Sequence, residues 1–311
     1  MNIKNVVVAG GGVLGSQIAF QAAYKGFNVK VWLRMESSIG RAKPKFERVE
    51  KIYLETLQAM KTNPAAYCRG LADSPELTEA QIDELIANAK HAMDRIEFTL
   101  SHEEAAKDAD LVIEAIAENP AEKVEFYQTM AKYLPDSAII VTNSSTMLPS
   151  AFAESTGRPD KYLALHFANE IWRNNTAEVM GHAGTSPEVY NEVVEFAEAL
   201  GMIPLQLKKE QPGYILNSLL VPFLNSAQAL LATGVADPET IDKTWQLGTG
   251  APLGPFRILD IVGLTTAYNI VIMNPEAKDS ETVPGKIAAL LKDYIDAGKT
   301  GINAGEGFYK Y

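Results

Sequence analysis

Short apolar runs alternate with amphipathic segments from the N-terminus to residue 207. The first run, residues 6–9, is rich in β-branched side chains, and residues 16–25 carry apolar side chains at helical spacing. Gly26 ends this helix, and residues 28–33 form a second apolar run. Strand, tight turn, helix and strand in this order predict the first βαβ unit of a doubly wound sheet.

A longer helical segment interrupts this alternation after the second strand. Residues 36–60 are charged and amphipathic, Asn63 and Pro64 break the pattern, and residues 78–92 carry a second helical pattern. Thr78 and Gln81 have the spacing of a capping box, in which each side chain bonds the other residue's backbone N–H. We therefore expect a helical hairpin over residues 36–95, inserted into the strand–helix alternation.

Strand patterns then resume and end before residue 213. We expect strands at 96–100, 110–116, 138–142, 162–166, 177–180 and 203–207, with a helix at 187–200. From Gly213 onward the pattern is helical only, at 215–231, 238–247, 264–273 and 284–297. The predicted fold class is therefore α/β. A Rossmann-type doubly wound sheet with the inserted hairpin occupies residues 1–208, and an all-α domain occupies residues 212–311.

The composition of the chain supports two domains and argues against nucleic acid as a binding partner. The chain has 311 residues, 47% of them hydrophobic and 22% charged, so it can bury a large core. Its net charge of -11 and the lack of a basic run argue against a protein that grips nucleic-acid phosphates. We expect a small-molecule partner instead.

The cysteine count and the N-terminal sequence indicate in which cellular compartment the protein is expected. Cys68 is the single cysteine, so no intrachain disulfide can form, and no Cys/His cluster has metal-ligand spacing. The N-terminal apolar run is interrupted by three glycines and lacks a basic leader, and no stretch reaches the roughly 20 apolar residues of a membrane span. We expect a cytoplasmic protein without a metal, a secretory signal or a membrane segment.

The first strand ends in a glycine-rich turn. Gly10, Gly12 and Gly15 match the pattern G-x-G-x-x-G, with Val13 and Leu14 between the last two glycines. The first glycine permits the tight turn, the second lets the backbone approach a pyrophosphate, and the third packs helix against strand. Because the turn lies between a strand and a helix, it predicts a dinucleotide whose phosphates meet the helix N-terminus.

The end of the second strand bears on which dinucleotide is bound. An acidic side chain at this position bonds the ribose hydroxyls of NAD, but this chain has Leu33 and Arg34. Arg34, with Ser37 and Ser38, could hold the 2′-phosphate of NADP, and we favour NADP over NAD. Alternatively, Arg34 stacks on adenine, or Glu36 supplies the missing carboxylate for NAD.

Five further motifs follow in order, and together they indicate a family. They are Glu118-Asn119 with Lys123, Asn143-Ser144-Ser145-Thr146, Leu165-His166-Phe167, Gln211-Pro212-Gly213-Tyr214 with Asn217, and Gly305-Glu306-Gly307-Phe308-Tyr309. With the glycine turn and the hairpin, they make nearly the whole chain resemble the short-chain L-3-hydroxyacyl-CoA dehydrogenase family.

This resemblance implies an oxidoreductase and assigns expected roles to several residues. By the resemblance, His166 is the general base and Glu178, 12 residues later, is its carboxylate partner. Ser145 and Asn217 are expected to bond the reacting oxygen. The expected cofactor contacts beyond the glycine turn and Arg34 are Ala117, Glu118, Lys123 and Asn143. The chemistry suits the pair, because imidazole can accept a hydroxyl proton near neutral pH while a carboxylate stabilises the imidazolium.

Several of these residues also have an ordinary structural interpretation. His166 could be a satisfied core histidine, and Asn143 to Thr146 could cap a helix. Glu118 and Lys123 could form a surface pair, although five residues apart they would not face each other well on a helix.

The chain departs from the family pattern in two places that concern the substrate. The family's His-Phe-Phe-Asn-Pro is replaced by His166-Phe167-Ala168-Asn169-Glu170, with Trp172 and Arg173 following. The family's serine and lysine that grip coenzyme A fall near Val49 and Thr56, with Lys45, Arg48 and Lys51 as possible replacements. We expect Asn169 and Arg173 to line the substrate site.

By the resemblance, and despite these two departures, the expected substrate is a 3-hydroxyacyl-CoA, short-chain as in 3-hydroxybutyryl-CoA and acetoacetyl-CoA, from fatty acid metabolism. The alternative is a free polar hydroxy acid, such as gulonate or carnitine, whose carboxylate could pair with Arg173. A non-enzymatic, crystallin-like role would be signalled by loss of the base, its partner or the serine, and all three are present. The resemblance also implies a homodimer formed through the C-terminal helices, whose leucines could equally form only that domain's own core.

Overall fold

The computed structural model of the chain describes residues 2–311. It divides into two compact units, one ending at Ile215 and the other comprising Leu216–Tyr311. The strands of the first unit are β1 (Asn5–Ala9), β2 (Asn28–Trp32), β3 (Ile96–Thr99), β4 (Leu111–Glu114), β5 (Ile139–Thr142), β6 (Tyr162–Phe167), β7 (Thr176–Met180) and β8 (Ile203–Leu207). Its helices are α1 (Val13–Tyr24), α2 (Glu36–Met60), α3 (Glu79–Lys90), α4 (His102–Ala106), α5 (Pro120–Met130) and α6 (Pro187–Ala199).

The eight strands form one sheet in the order β3-β2-β1-β4-β5-β6-β7-β8. Neighbouring strands are parallel except β6 and β7, which pair antiparallel. The order reverses between β1 and β4, and the carboxyl ends of the strands at such a reversal form the crevice in which doubly wound sheets bind ligands. The predicted fold class, a Rossmann-type sheet with an inserted hairpin, is confirmed.

Helices cover both faces of the sheet, which explains why its central strands read as continuous apolar runs. On one face, α1, α2 and α6 bury Phe20, Phe46 and Phe196 against the strands. On the other, α4 and α5 bury Ala106 and Tyr127. Apolar side chains on the inward side of each helix therefore produce the two layers.

The inserted hairpin consists of α2 and α3, which pack against each other. Its second helix begins with the predicted capping box. The Thr78 hydroxyl accepts from the backbone N–H of Gln81 at 3.3 Å, and the Gln81 side chain accepts from that of Thr78 at 2.9 Å. The predicted capping box therefore marks the start of α3.

The second unit is helical, with α7 (Leu216–Ala232), α8 (Pro238–Thr249), α9 (Pro255–Val262), α10 (Leu264–Val271) and α11 (Val283–Asp296). Buried Asp260 accepts from the backbone N–H groups of Phe308 and Tyr309 and from the Tyr311 hydroxyl. A Cβ at Gly307 would lie 2.0 Å from an Asp260 oxygen, so the tail can approach only with glycine there. The Gly-Glu-Gly-Phe-Tyr tail is therefore anchored within its own unit.

Three helices, α4, α5 and α9, were not predicted from periodicity. They comprise 5, 11 and 8 residues, and two of them are too short to show a repeating apolar stripe. In α5 the apolar side chains are interspersed with charged ones, and even Lys123 is buried. In the described part of the chain, no helix is long and apolar enough to cross a membrane.

Candidate active site

The glycine-rich turn connects β1 to α1, and its three glycines serve two purposes. A Cβ at Gly10, where φ is +116°, would lie 2.4 Å from the Ala115 carbonyl oxygen, and one at Gly15 would lie 2.3 Å from the Gly10 oxygen. Close packing therefore requires both glycines. Gly12 precedes α1 at the N-cap, and a Cβ there would meet nothing within 4 Å. This open space, beside the N–H groups of Val13 and Leu14 in the first turn of α1, fits a pyrophosphate.

A cavity of about 430 Å³ lies beside this turn, at the carboxyl ends of β1, β2 and β4. The backbone of Gly10 and Gly12 and the Ala117 loop line one side. Polar and charged side chains line another part, namely Arg34, Ser38, Arg41, Lys45, His102, Glu122, Glu125 and Thr129. The residues present therefore fit a dinucleotide.

Four of these side chains form what we call the basic cluster: Arg34, Ser38, Arg41 and Lys45. Arg41 donates to the Ser38 hydroxyl at 2.8 Å and to the Ser37 hydroxyl at 3.2 Å, and the Lys45 ammonium donates to the Arg41 carbonyl at 2.8 Å. Arg34 is ion-paired with Glu122 of α5 at 2.9 Å. Residues 37, 41 and 45 are four apart on α2, so they share one helix face. Glu36 is exposed and opens the helix.

His166 and Glu178 are brought together by strand pairing. They are directly opposite each other in the antiparallel register of β6 and β7, and Nδ1 of His166 lies 3.0 Å from Oε2 of Glu178. Opposed residues of paired strands project to the same face of a sheet. Both side chains are buried, with 7% and 3% exposed. A carboxylate can only accept a hydrogen bond, so Nδ1 of His166 carries the proton in this contact. Nε2, on the other edge of the ring, then has a lone pair that can accept.

The Ser145 hydroxyl lies 3.1 Å from Nε2 of His166. Its loop is held by Glu118, whose carboxylate accepts from the Ser145 backbone N–H and the Ser144 hydroxyl, both at 2.8 Å. Asn143 caps no helix: its side-chain oxygen accepts from the backbone N–H of Phe167. The helix-capping interpretation of this motif is therefore wrong, because no helix begins in residues 143–148.

Lys123 is only 1% exposed, so the interpretation of Glu118 and Lys123 as a surface pair is also wrong. The ammonium bonds buried Glu114 at 2.6 Å and lies 3.6 Å from Glu118. Glu114 also accepts from the hydroxyls of Tyr127 and Thr142, both at 2.7 Å. Burial, with Glu114 as a second cause, raises the pKa of Tyr127 well above its usual value, so Tyr127 stays a donor. The two fully buried charges, those of Lys123 and Glu114, are therefore paired with each other.

The segment that ends the first unit reaches the same histidine. The Tyr214 ring stacks on the His166 imidazole, with centroids 4.4 Å apart and planes 14° from parallel. Its hydroxyl donates to the Ser144 carbonyl at 2.7 Å. The backbone N–H of Ile215 donates to Oε1 of Glu178 at 2.8 Å.

The remaining predicted site residues lie apart from this group or in the second unit. Asn217 lies on α7 of the second unit, so its expected contact with the reacting oxygen stays a prediction. Asn169 and Arg173 lie in the exposed turn after β6, where Glu170 has φ +57°. Of the expected coenzyme A positions on α2, Val49 is buried in the core and Lys51 pairs with Glu55. Lys45 belongs to the basic cluster.

Sequence reasoning missed three residues that the structure brings into these groups: Arg41, Glu114 and Tyr214. The four-residue spacing from Ser37 was an available signal for Arg41. The position of Tyr214 directly after Gln211-Pro212-Gly213 indicates a packing role, but the sequence does not indicate that the ring packs on His166. In the part of the chain that is described, no group of three or more His, Cys, Asp or Glu side chains could hold a metal ion.

Both units match family models. Residues 5–211 match the model described as 3-hydroxyacyl-CoA dehydrogenase, NAD binding domain, and residues 213–311 match its C-terminal domain. A relative from Bacillus subtilis named a probable 3-hydroxybutyryl-CoA dehydrogenase is 32% identical over 100% of this chain and 98% of its own length.

Two solved structures are also similar over the whole chain. A diketoreductase, whose structure is described as showing substrate-directed dual catalysis of dicarbonyl compounds, is 49% identical with a TM-score of 0.85 and covers 100% of both chains. The (S)-3-hydroxybutyryl-CoA dehydrogenase from Ralstonia eutropha is 26% identical with a TM-score of 0.77, covering 100% of this chain and 99% of its own.

Proposed function

The chain belongs to the 3-hydroxyacyl-CoA dehydrogenase family, oxidoreductases that act on CH–OH groups, and we propose that His166 and Glu178 carry its proton transfer. The reaction moves a hydride between a nicotinamide cofactor and C3 of a short-chain 3-hydroxyacyl-CoA or its 3-oxo form. The observation that carries the proposal is the position of the His166 ring, bonded to Glu178 through Nδ1 and to Ser145 through Nε2.

In the oxidation direction, Nε2 of His166 accepts the proton of the substrate hydroxyl. Nδ1 keeps its proton because Glu178 accepts its hydrogen bond, and the carboxylate stabilises the resulting imidazolium. Ser145 donates its hydroxyl to the reacting oxygen, and Asn217 is proposed to help. The bound cofactor supplies the hydride acceptor, and in the reverse direction the imidazolium returns the proton.

We propose NADP as the preferred cofactor, with Ala117, Glu118, Lys123 and Asn143 on the nicotinamide side of the glycine turn. Support comes from the basic cluster, in which Arg34 follows β2 and the other three residues lie on α2. Further support comes from Leu33, which stands in place of the carboxylate that would bind the ribose of NAD. Arginine forks and serine hydroxyls are suited to a phosphate.

The cofactor proposal is tested by measuring kcat/KM with NADPH and with NADH. We expect Arg41→Ala to lower the value for NADPH by about 30-fold or more while changing that for NADH less than about threefold. Lys43→Ala, at an exposed position of the same helix outside the cavity, is the matched control. A wild-type preference for NADH would contradict the proposal.

The catalytic proposal is tested by cofactor oxidation with acetoacetyl-CoA. We expect His166→Gln to reduce kcat by about 10³-fold or more while the Kd for reduced cofactor stays within about twofold of wild type. Retention of activity would remove His166 as the proton donor.

A second candidate substrate is a small dicarbonyl compound without coenzyme A. The observation that favours it is the 49% identity to the diketoreductase, together with the burial of Val49 at an expected coenzyme A position. Pentane-2,4-dione, assayed beside acetoacetyl-CoA, distinguishes the two classes by the ratio of kcat/KM. Arg173 and Asn169, in the turn after β6, are the proposed contacts for a free carboxylate or carbonyl group.

We also infer a homodimer formed through residues 212–311, proposed as the substrate and dimerisation domain beside a nucleotide-binding domain at residues 1–208. Support comes from apolar side chains on the second unit's surface, including Leu219 at 69% and Leu247 at 77% exposed. The proposed cytoplasmic location rests on Cys68, a buried free thiol.

A further inference from the structure

Tyr214 adopts a backbone conformation that tyrosine rarely adopts. Its φ is +55°, and among the described residues only Glu170 is another non-glycine residue with positive φ. For a bulky L-residue this conformation is strained and persists only where surrounding contacts over-determine it. The side chain is 1% exposed and packs against Ala164, Met180 and Leu207. These packing contacts therefore hold the strained backbone, and with it the Tyr214 ring, in one position.

In this position the Tyr214 ring lies against the face of the His166 imidazole. The two rings are nearly parallel at 4.4 Å, so the imidazole cannot tilt towards the side that Tyr214 occupies. The aromatic face is also electron-rich, and a cation held against it is stabilised. The imidazolium that forms during turnover would have Glu178 at its edge and Tyr214 on its face.

The hydroxyl of the same tyrosine reaches the serine loop. It donates to the Ser144 carbonyl at 2.7 Å, one residue before the serine that bonds Nε2 of His166. Burial, the largest cause, raises the pKa of Tyr214, so the phenol remains protonated and keeps donating. The next residue, Ile215, donates its backbone N–H to Glu178. Two consecutive residues thus contact the histidine, its carboxylate and the serine loop.

We propose that Tyr214 is a positioning residue, which holds the His166 ring plane with its face and fixes the Ser145 loop against that ring with its hydroxyl. The inference rests on the proposed function only in taking His166 as the proton-transfer group. Its two parts are separable, because Tyr214→Phe removes the hydroxyl and keeps the stacked ring, whereas Tyr214→Leu removes both.

Tyr24→Phe is the matched control. The Tyr24 hydroxyl also donates to a backbone carbonyl, that of Leu71, at 2.7 Å, and Tyr24 is 3% exposed, but it lies on α1 in the core beneath the hairpin. A loss of activity through general destabilisation would appear in both phenylalanine variants. A loss through positioning would appear only at residue 214.

We expect Tyr214→Phe to lower kcat by about fivefold to 20-fold with the KM of cofactor within about twofold, and Tyr214→Leu to lower kcat by about 100-fold or more. With deuterated reduced cofactor, the isotope effect on kcat should rise in both, because the proton and hydride steps become limiting. Wild-type kcat in Tyr214→Phe, or equal losses in Tyr24→Phe, would overturn the role of the hydroxyl.

A second measurement needs no substrate. Histidine-selective NMR at one fixed pH, with His166→Gln to assign the signal, follows the ring-proton chemical shifts of His166, whose ring is stacked on Tyr214. We expect these shifts to change in Tyr214→Leu, because an aromatic ring shields protons that lie over its face, and to stay nearly unchanged in Tyr214→Phe and Tyr24→Phe. Unchanged His166 signals in Tyr214→Leu would overturn the stacking role. Absence of turnover in the wild type would instead overturn the proposed function.

Discussion

At the level of single residues, the partner of each charged side chain decides what it can do. Glu178 is buried and committed to His166 and to a backbone N–H, which makes it a fixed negative charge beside the imidazole. Glu122 is partly exposed and pairs with Arg34 in the cavity beside the glycine-rich turn. The first carboxylate supports the proposed chemistry, and the second would compete with the 2′-phosphate of the proposed NADP for the same guanidinium.

Glu178→Gln tests the fixed charge. The amide can still accept from Nδ1, but it no longer stabilises an imidazolium, so we expect kcat to fall by about 10²-fold to 10³-fold with little change in cofactor KM. Steady-state kinetics in both directions measure this. Glu188→Gln, at the exposed start of α6, should behave as wild type. A loss of less than about threefold would show that the charge of Glu178 is dispensable.

Glu122→Gln tests the competition for Arg34. Removing the carboxylate frees the guanidinium, so the KM for NADPH should fall by about threefold to tenfold while that for NADH changes little. Glu125→Gln alters another carboxylate of the same helix and cavity without an ion pair to Arg34, and it should have a smaller effect. Equal effects of the two variants would indicate a general field rather than a specific pair.

At the level of elements, the turn from β1 into α1 separates stability from binding. Gly10 and Gly15 are demanded by backbone atoms that lie within 2.4 Å of where their Cβ atoms would be, whereas Gly12 faces open space. Within one motif, Gly10 and Gly15 are therefore required for packing, whereas Gly12 leaves room for a ligand. The motif could be read from the sequence, but not which of its glycines the fold itself requires.

Substitution of two glycines by alanine separates these effects. Gly15→Ala should lower Tm by about 4 °C or more, because its Cβ would clash with the Gly10 carbonyl and both elements must shift. Gly12→Ala should keep the wild-type Tm without cofactor and raise the Kd for NADPH by about tenfold, since the methyl group occupies the phosphate's approach. Thermal unfolding and fluorescence titration measure the two quantities. Equal Tm losses would contradict this division.

Across the whole molecule, charge and apolar surface are unevenly distributed. The chain has a net charge of -11, yet the cavity beside the glycine-rich turn contains the basic cluster. The second unit exposes apolar side chains and has an apolar groove of about 590 Å³ lined by residues such as Leu230, Val235 and Trp245. Exposed apolar patches of this kind are typical of association surfaces.

Sedimentation tests the proposed dimer. We expect the wild type at micromolar concentration to sediment with twice the mass of one chain, and Leu219→Glu or Leu247→Glu to shift it towards the monomer, because a charge would be buried in the interface. Tyr133→Glu, at a 42%-exposed position of the first unit, should remain dimeric. A monomeric wild type would contradict the proposal.

The sheet, the hairpin, the glycine turn and the family were all predictable from the sequence, because periodicity, caps and motif chemistry are encoded in short windows of the chain. His166, Glu178, Ser145 and Lys123 were identifiable as candidates in the same way. How they are partnered depends on tertiary packing. The antiparallel pairing of β6 and β7 puts Glu178 opposite His166. The position of α2 adds Arg41 and Lys45 to Arg34. With a positive φ at residue 214, the Tyr214 ring stacks on the histidine. These pairings join residues far apart in the chain, and packing rather than local pattern selects them.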